Sequence, residues 1–140
     1  MKNLLILTLT LIPFVLFSQA WNITWEDVDG REFSINTHTR AFTYSMIAGD
    51  DIEYIKYAKY GRVGAVSRIG DVDIEYIKYA QYGPVGAVAS VGDVDIEYIK
   101  YAQYGPVGAV ASVGGLDIEY IKYARYGTVG SVSGSSGSVY

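Results

Sequence analysis

The chain is organised by an alternation of apolar and polar residues that repeats every 22 positions. In the segment 71–92, DVDIEYIKYAQYGPVGAVASVG, Val72, Ile74 and Tyr76 alternate with acidic residues. The segment recurs unchanged at 93–114, and looser copies occupy 49–70 and 115–136. Alternation with period two is typical of strands with one buried face. A fixed period of this size indicates a repeat array. The pattern predicts an all-β fold with two strands in each repeat.

Glycines mark the ends of the predicted strands. Gly70-Asp71, Gly92-Asp93 and Gly114-Gly115 are favoured two-residue hairpin loops. A four-residue loop, Ala80 to Gly83, is predicted at the other junction of the second repeat. Consecutive strands joined in this way form an antiparallel β-meander.

The predicted register divides the residues of the second repeat between two faces. It pairs Tyr76 with Ala87 and Ile74 with Ala89, so that large side chains lie beside small ones without a bulge. The predicted packed face holds Val72, Ile74, Tyr76, Lys78, Val85, Ala87, Ala89 and Val91. The other face holds Asp73, Glu75, Ile77, Tyr79, Gly86, Val88 and Ser90. In the first repeat, the same register places Arg68 between Asp51 and Asp73.

Two alternative folds use the same repeat. In a short β/α solenoid, Asp73 would cap a helix that ends at Gly83, but Ile and Tyr favour strands and the segment is short for a helix. In a parallel β-solenoid, Asp73 would stack on Asp51 and Asp95, and like charges in direct opposition destabilise a sheet. Both comparisons favour the meander.

Residues 1–20 have the pattern of a secretory signal peptide. Lys2 precedes an apolar stretch of 14 residues, Leu4 to Phe17, which is short for a membrane span. Ser18 and Ala20 are small residues at the −3 and −1 positions, which predicts cleavage after Ala20. Cleavage after Ser18 is the alternative. The chain has no cysteine, which excludes a lipoprotein anchor. The predicted location is periplasmic or extracellular, with no transmembrane segment after signal cleavage.

The segments that flank the repeats are not repetitive. Residues 21–48 are rich in aromatic residues, and Asp29-Gly30 is a two-residue hairpin signal within them. We expect this segment to form an N-terminal cap over the open end of the array. The four repeats extend to residue 132, and the Ser/Gly-rich residues 133–140 are predicted to be a flexible tail.

Composition restricts the chemistry. Removal of Lys2 with the signal peptide leaves 10 Lys and Arg against 15 Asp and Glu, a net charge of −5, which argues against nucleic acid as a partner. His38 is the single histidine, and the predicted role is that of a surface residue. The sequence predicts a protein that is not an enzyme and needs no cofactor. The alternative is an enzyme with its site in residues 21–48.

Two periodic sets of side chains are candidate sites. Acidic residues at the hairpin junctions are candidate Ca²⁺ ligands, although a solvated strand edge is the simpler interpretation: Asp71, Asp73, Glu75, Asp93, Asp95 and Glu97. A row of tyrosines forms either a second packed layer or a binding surface: Tyr57, Tyr79, Tyr101 and Tyr123. The partners predicted for such a surface are a surface glycan, a protein or a second copy of the chain.

Two families of secreted repeats share features with this chain. The 22-residue period with Gln81-Tyr82-Gly83 and Gln103-Tyr104-Gly105 resembles curlin repeats, which are strand–turn–strand units of bacterial amyloid fibres. Gly86 and Gly108 stand where that pattern has asparagine. The Tyr-rich strands are similar to tyrosine/glycine YD-type β-repeats, without the Tyr-Asp pair. The resemblances imply a structural or binding role outside the cytoplasm, with a self-assembling fibre subunit as the alternative.

Overall fold

The computed structural model describes residues 19–140, so the predicted signal peptide lies outside it apart from Gln19 and Ala20. In this range there are eleven strands: β1 (Asn22–Glu26), β2 (Glu32–Asn36), β3 (Phe42–Tyr44), β4 (Ile52–Tyr54), β5 (Val66–Ile69), β6 (Val72–Tyr76), β7 (Val88–Val91), β8 (Val94–Tyr98), β9 (Val110–Val113), β10 (Leu116–Tyr120) and β11 (Val132–Ser136). Each repeat also has one 3₁₀ turn: Ala58–Tyr60, Ala80–Tyr82, Ala102–Tyr104 and Ala124–Tyr126. These helical turns are three residues long, so residues 19–140 hold no helix that could cross a membrane.

The strands form two sheets with sequential neighbours. Strands β1 to β3 form a three-stranded sheet, which we call the cover sheet, and β4 to β11 form an eight-stranded sheet, which we call the repeat sheet. Every paired neighbour is antiparallel. The predicted antiparallel meander with two strands per repeat is confirmed, and the two solenoid alternatives are wrong.

The hairpin junctions between repeats follow the prediction. Val91 pairs with Val94, which leaves Gly92 and Asp93 as the two-residue turn. Gly92 has φ +57°, a left-handed conformation that glycine adopts without steric cost. The first and third junctions have the same geometry at Gly70 and Gly114.

The junction within each repeat is longer than predicted. Ile77 donates its N–H to the Ala87 carbonyl (2.8 Å) and accepts the Gly86 N–H (2.9 Å), so the loop begins after Ile77 rather than at Ala80. Ile74 therefore pairs with Val91 instead of Ala89, and Tyr76 pairs with Val88 instead of Ala87. A β-bulge follows Glu75, where the prediction had none.

The bulge changes which side chains the sheet buries. Val88 is buried, although it was assigned to the other face; Ile77 is also buried, but it lines a groove of the face to which it was assigned. Lys78 and Val85, which were assigned to the packed face, are exposed, whereas Ala89 packs against the core and also lines a groove of the open face. The remaining members behave as predicted, since Ile74, Ala87 and Val91 are buried and Val72 and Tyr76 pack against the core.

The cover sheet lies across one face of the repeat sheet. Its buried residues Ile23, Trp25, Phe33 and Ile35 belong to the same hydrophobic cluster as the repeat valines and isoleucines. Hydrogen bonds join its last loop to the third and fourth repeats: the Thr37 carbonyl accepts the Val110 N–H (2.8 Å), and His38 Nε2 lies 2.7 Å from the Gly130 carbonyl oxygen. The prediction that this segment caps the open end of the array is therefore wrong.

The first hairpin of the cover sheet has a five-residue loop instead of the predicted two-residue turn at Asp29-Gly30. Glu26 pairs with Glu32, which leaves Asp27 to Arg31 in the loop. One carboxylate oxygen of Asp27 accepts the N–H groups of Asp29 and Arg31, both at 2.9 Å, and this local bonding stabilises the wider loop.

The buried Arg31 guanidinium ties this loop to the start of the array. It donates to Asp50 at 2.7 Å and 2.9 Å and to Asp27 at 3.0 Å, and it lies 3.2 Å from a carboxylate oxygen of Asp71. These hydrogen bonds lower the pKa of Asp50 to about 2. Burial acts to raise the pKa of Asp27, but hydrogen bonds from Arg31 and Asp29 bring it below its usual value.

The C-terminal residues are part of the fold. Strand β11 includes residues 133–136, and the Val139 carbonyl accepts the Gly115 N–H at 3.2 Å. Val139 packs against the hydrophobic core. The prediction of a flexible tail at 133–140 is therefore wrong, because the apolar end of this segment packs beside the third hairpin junction.

Candidate binding surface

Each repeat presents two exposed tyrosines on the face opposite the cover sheet. In the second repeat, Tyr79 and Tyr82 flank the 3₁₀ turn, which the Tyr82 N–H closes on the Tyr79 carbonyl at 3.0 Å. Their rings meet edge to face at 6.5 Å, and their exposed fractions are 65% and 54%. The third and fourth repeats repeat this geometry with Tyr101 and Tyr104, and with Tyr123 and Tyr126.

A lysine from each following repeat lies over one of these rings. Lys100 Nζ is 5.9 Å from the ring centroid of Tyr82, and Lys122 has the same relation to Tyr104. Lys78 lies 5.8 Å from the centroid of Tyr60. These distances are at the outer limit of a cation–π interaction. The contacts orient the tyrosine rings relative to the next repeat.

Between these side chains the surface forms a row of four grooves, one in each repeat. The second, third and fourth are equivalent, whereas the first is lined by Arg68 and has no tyrosine from a preceding repeat. Their volumes, in chain order, are about 560, 550, 480 and 680 Å³. The groove of the second repeat is lined chiefly by Tyr60, Tyr79, Tyr82, Lys78, Asp73 and Glu75, with Ile77 and Ala89 between them. Successive grooves are two strands apart, or ~10 Å across the sheet.

The grooves carry charges of both signs. The second groove has one lysine, Lys78, beside two carboxylates, Asp73 and Glu75. The third and fourth grooves have the same residue types at equivalent positions. No groove therefore has the concentration of one charge that a strongly ionic ligand requires.

The structure resolves the two interpretations of the predicted tyrosine row. Tyr57, Tyr79, Tyr101 and Tyr123 are 63–65% exposed, so they are not a second packed layer. The prediction missed the partner row at Tyr60, Tyr82, Tyr104 and Tyr126 and the lysines that lie over it. The 22-residue period was the available signal, since both rows have it. The sequence pattern did not predict the 3₁₀ turn, which places the two rings side by side.

The candidate Ca²⁺ ligands are engaged separately. Asp71 lies beside Arg31, and Asp73 lies 3.5 Å from the Arg68 Nε. Glu75 accepts a hydrogen bond from the Ser90 hydroxyl at 3.3 Å. The equivalent positions in the third repeat are Asp93, Asp95 and Glu97, of which Asp95 pairs with Ser90 across the junction. Within residues 19–140, no three acidic, histidine or cysteine side chains come together as a metal site.

His38 is half-buried, in the loop between β2 and β3, where it contacts the fourth repeat. Its Nε2 is 2.7 Å from the Gly130 carbonyl oxygen and its Nδ1 is 2.9 Å from the Thr37 hydroxyl. Because the carbonyl can only accept, Nε2 carries the proton in this arrangement. The imidazole ring also meets Tyr120 edge to face at 5.7 Å. These contacts give His38 a structural role in holding the cover sheet to the fourth repeat.

No protein-family model matches the chain, and neither a curated protein nor a solved structure matches it.

Proposed function

We propose that the protein is a secreted, non-enzymatic β-repeat protein that binds an extended, neutral polysaccharide along the row of four tyrosine grooves. The observation that carries this proposal is that two exposed tyrosines, a lysine and carboxylates line a groove in every repeat, with the same arrangement in the second, third and fourth. The signal-peptide pattern of residues 1–20 supports a location in the periplasm or at the cell exterior.

The side chains of each groove suit a sugar. The apolar C–H face of a pyranose ring packs well on an exposed aromatic ring, and Tyr79 and Tyr82 present such rings to solvent. Hydroxyl groups of the sugar can donate to Glu75 and accept from Lys78, which line the same groove. Exposed aromatic area of this kind is typical of binding surfaces.

The repetition favours a polymer over a single small molecule. Four similar grooves at ~10 Å intervals match a ligand whose chemical unit also repeats along its length. Once one groove is occupied, the next unit of the same chain is held near its own groove, so weak single contacts combine into useful affinity.

The charges favour a neutral ligand. One lysine faces two carboxylates in the second, third and fourth grooves, so an anionic polymer would meet net repulsion. A binding role without catalysis is supported by the likeness of the second, third and fourth grooves, which present the same tyrosines, lysine and carboxylates at equivalent positions.

Affinity electrophoresis of residues 21–140 tests the proposal. We expect hydroxyethylcellulose, glycol chitin or dextran in the gel to retard the protein, and alginate, an anionic polymer, to leave it unaffected. Tyr101→Ala removes a ring from the third groove and should weaken binding about fivefold, which corresponds to about 1 kcal/mol for one aromatic contact.

The matched control is Val107→Ser, since Val107 is equally exposed but lines none of the four grooves. The proposal is wrong if none of the neutral polymers retards the protein. It is also wrong if Val107→Ser weakens binding as much as Tyr101→Ala does.

A further inference from the structure

The repeats hold one another through a tyrosine and a glycine at each junction. The hydroxyls of Tyr76, Tyr98 and Tyr120 donate to the carbonyls of Val66, Val88 and Val110 in the preceding repeat, at 2.7, 2.6 and 2.5 Å. Each ring packs on a turn glycine of that preceding repeat: Gly61, Gly83 and Gly105, respectively. A Cβ at Gly105 would lie 2.9 Å from the Tyr120 ring, so only glycine leaves room for it.

At the first edge of the repeat sheet, the junction tyrosine is present but the turn glycine and valine carbonyl that would receive it are absent. Tyr54, in β4, is equivalent to Tyr98 but has no repeat before it. Its side chain is 51% exposed, whereas Tyr98 is 3% exposed. Strand β4 is the outermost strand at this side of the sheet, so its outer edge has no neighbouring strand in the repeat sheet.

At the other edge, the turn glycine and the valine are present but the tyrosine that would contact them is absent. Gly127 and Val132 of the fourth repeat are equivalent to Gly105 and Val110. A Cβ at Gly127 would meet the end of Ile121 and no tyrosine. Strand β11 is the outermost strand here, and the chain after it continues beside Gly115 at the third hairpin junction. The two edges are therefore the separated halves of the junction that occurs three times inside the chain.

We propose that copies of this protein associate head to tail, with β11 of one copy pairing with β4 of the next. In this arrangement the Tyr54 ring covers Gly127 of the neighbouring copy and its hydroxyl donates to the Val132 carbonyl. Ser112 lies opposite Asp117 inside the chain, so the same register places Gly134 opposite Asp51 of the next copy. The two surfaces differ, so the contact is heterologous and builds open chains of copies.

The charge of the chain sets the conditions for this association. The third junction places Asp117 opposite a neutral serine, and Gly134 is also neutral, so the proposed contact brings no new pair of like charges together. Each copy without residues 1–20 nevertheless carries a net charge of −5. Long-range repulsion between copies should weaken as salt increases, so association should rise with ionic strength.

Sedimentation velocity of residues 21–140 over a concentration series tests the proposal. This range excludes Gln19, which hydrogen-bonds to Ser131 and Val132 at the β11 edge. We expect the mean sedimentation coefficient to rise with protein concentration and with salt. Tyr54→Ala should abolish the rise. Val63→Ala should preserve it, because the equivalent residues Val85 and Val107 stay exposed at the internal junctions. A protein that stays monomeric throughout, or a Tyr54→Ala variant that still associates, would overturn the proposal.

Disulfide trapping tests the register directly, since the natural chain has no cysteine. Asp51→Cys and Gly134→Cys are prepared as separate variants and mixed under mild oxidation. A side chain at residue 134 meets nothing within 4 Å, so the substitution should leave the fold intact. We expect mixed dimers to form faster than dimers of either variant alone. The control mixture is Asp51→Cys with Ser138→Cys. Equal amounts of disulfide dimer in both mixtures, or faster formation of the Asp51→Cys homodimer than of the mixed dimer, would overturn the head-to-tail arrangement.

Discussion

The hydroxyl of Tyr98 donates a 2.6 Å hydrogen bond to the carbonyl oxygen of Val88, one repeat earlier in the chain. Burial raises the pKa of this phenol well above its ordinary value, and it raises the pKa of Tyr120 to about 12. The phenols are therefore protonated donors at neutral pH. Because the same bond recurs at Tyr76 and Tyr120, the stability of the array depends on contacts between repeats as well as within them.

Replacement of Tyr98 by serine should destabilise the protein severely. The change removes a buried aromatic ring from the centre of the array, and such changes cost roughly 3–5 kcal/mol. The comparison is Gln103→Ser, an exposed loop change that should cost under about 0.5 kcal/mol. Chemical denaturation monitored by circular dichroism measures both. Equal losses for the two variants would contradict the assignment of Tyr98 to the packed face.

Removal of the hydroxyl alone should have a smaller, separable effect. Tyr98→Phe keeps the ring and deletes the donor to the Val88 carbonyl, so we expect a loss of about 1 kcal/mol. Tyr79→Phe is the matched control, because its phenol is exposed to solvent. Denaturation midpoints that fall equally in the two variants would show that the inter-repeat hydrogen bond contributes nothing.

The turn glycines offer a matched pair of substitutions. Gly105 and Gly127 have similar backbone angles, with φ +149° and +139°, so alanine strains both similarly. At Gly105 the new methyl group would also lie 2.9 Å from the Tyr120 ring, whereas at Gly127 it meets only the flexible end of Ile121. Gly105→Ala should therefore lower the melting temperature more than Gly127→Ala. The opposite order would argue against the tyrosine–glycine contact as a determinant of stability.

Arg68 shows which part of the register the sequence could predict. We expected it between Asp51 and Asp73, and its Nε does lie 3.5 Å from Asp73. Its other neighbour is Glu53, at 3.9 Å, instead of Asp51. The Asp73 contact was predictable because a Gly-Asp turn admits only two loop residues. The Glu53 contact was missed because the length of the other loop depends on where Ile55 closes it, through hydrogen bonds to Gly64 and Ala65.

The cover sheet and the grooves were less accessible to sequence reasoning. Residues 21–48 lack the repeat, so nothing local indicates that Thr37 and His38 contact residues 110 and 130. The exposed row at Tyr79 was identified from its period. Its pairing with Tyr82 required the 3₁₀ turn, which depends on hydrogen bonds of the whole loop. Long-range packing of a unique segment and loop geometry were the two features that pattern alone did not determine.

Asp50 should make the stability of the protein sensitive to acid. Its pKa is lowered from 3.8 to about 2 in the folded chain, chiefly by hydrogen bonds from Arg31. A group whose pKa is lower in the folded state stabilises the protein above its unfolded pKa, and this stabilisation is lost as the pH falls towards the folded value. The melting temperature should therefore fall between about pH 4 and pH 2. Asp50→Asn removes this titration, so the variant should be less stable near neutral pH and should show a shallower decline across the same interval. Thermal melts of both proteins from pH 2 to pH 6 make the comparison, and parallel curves would show that Asp50 is not the residue responsible.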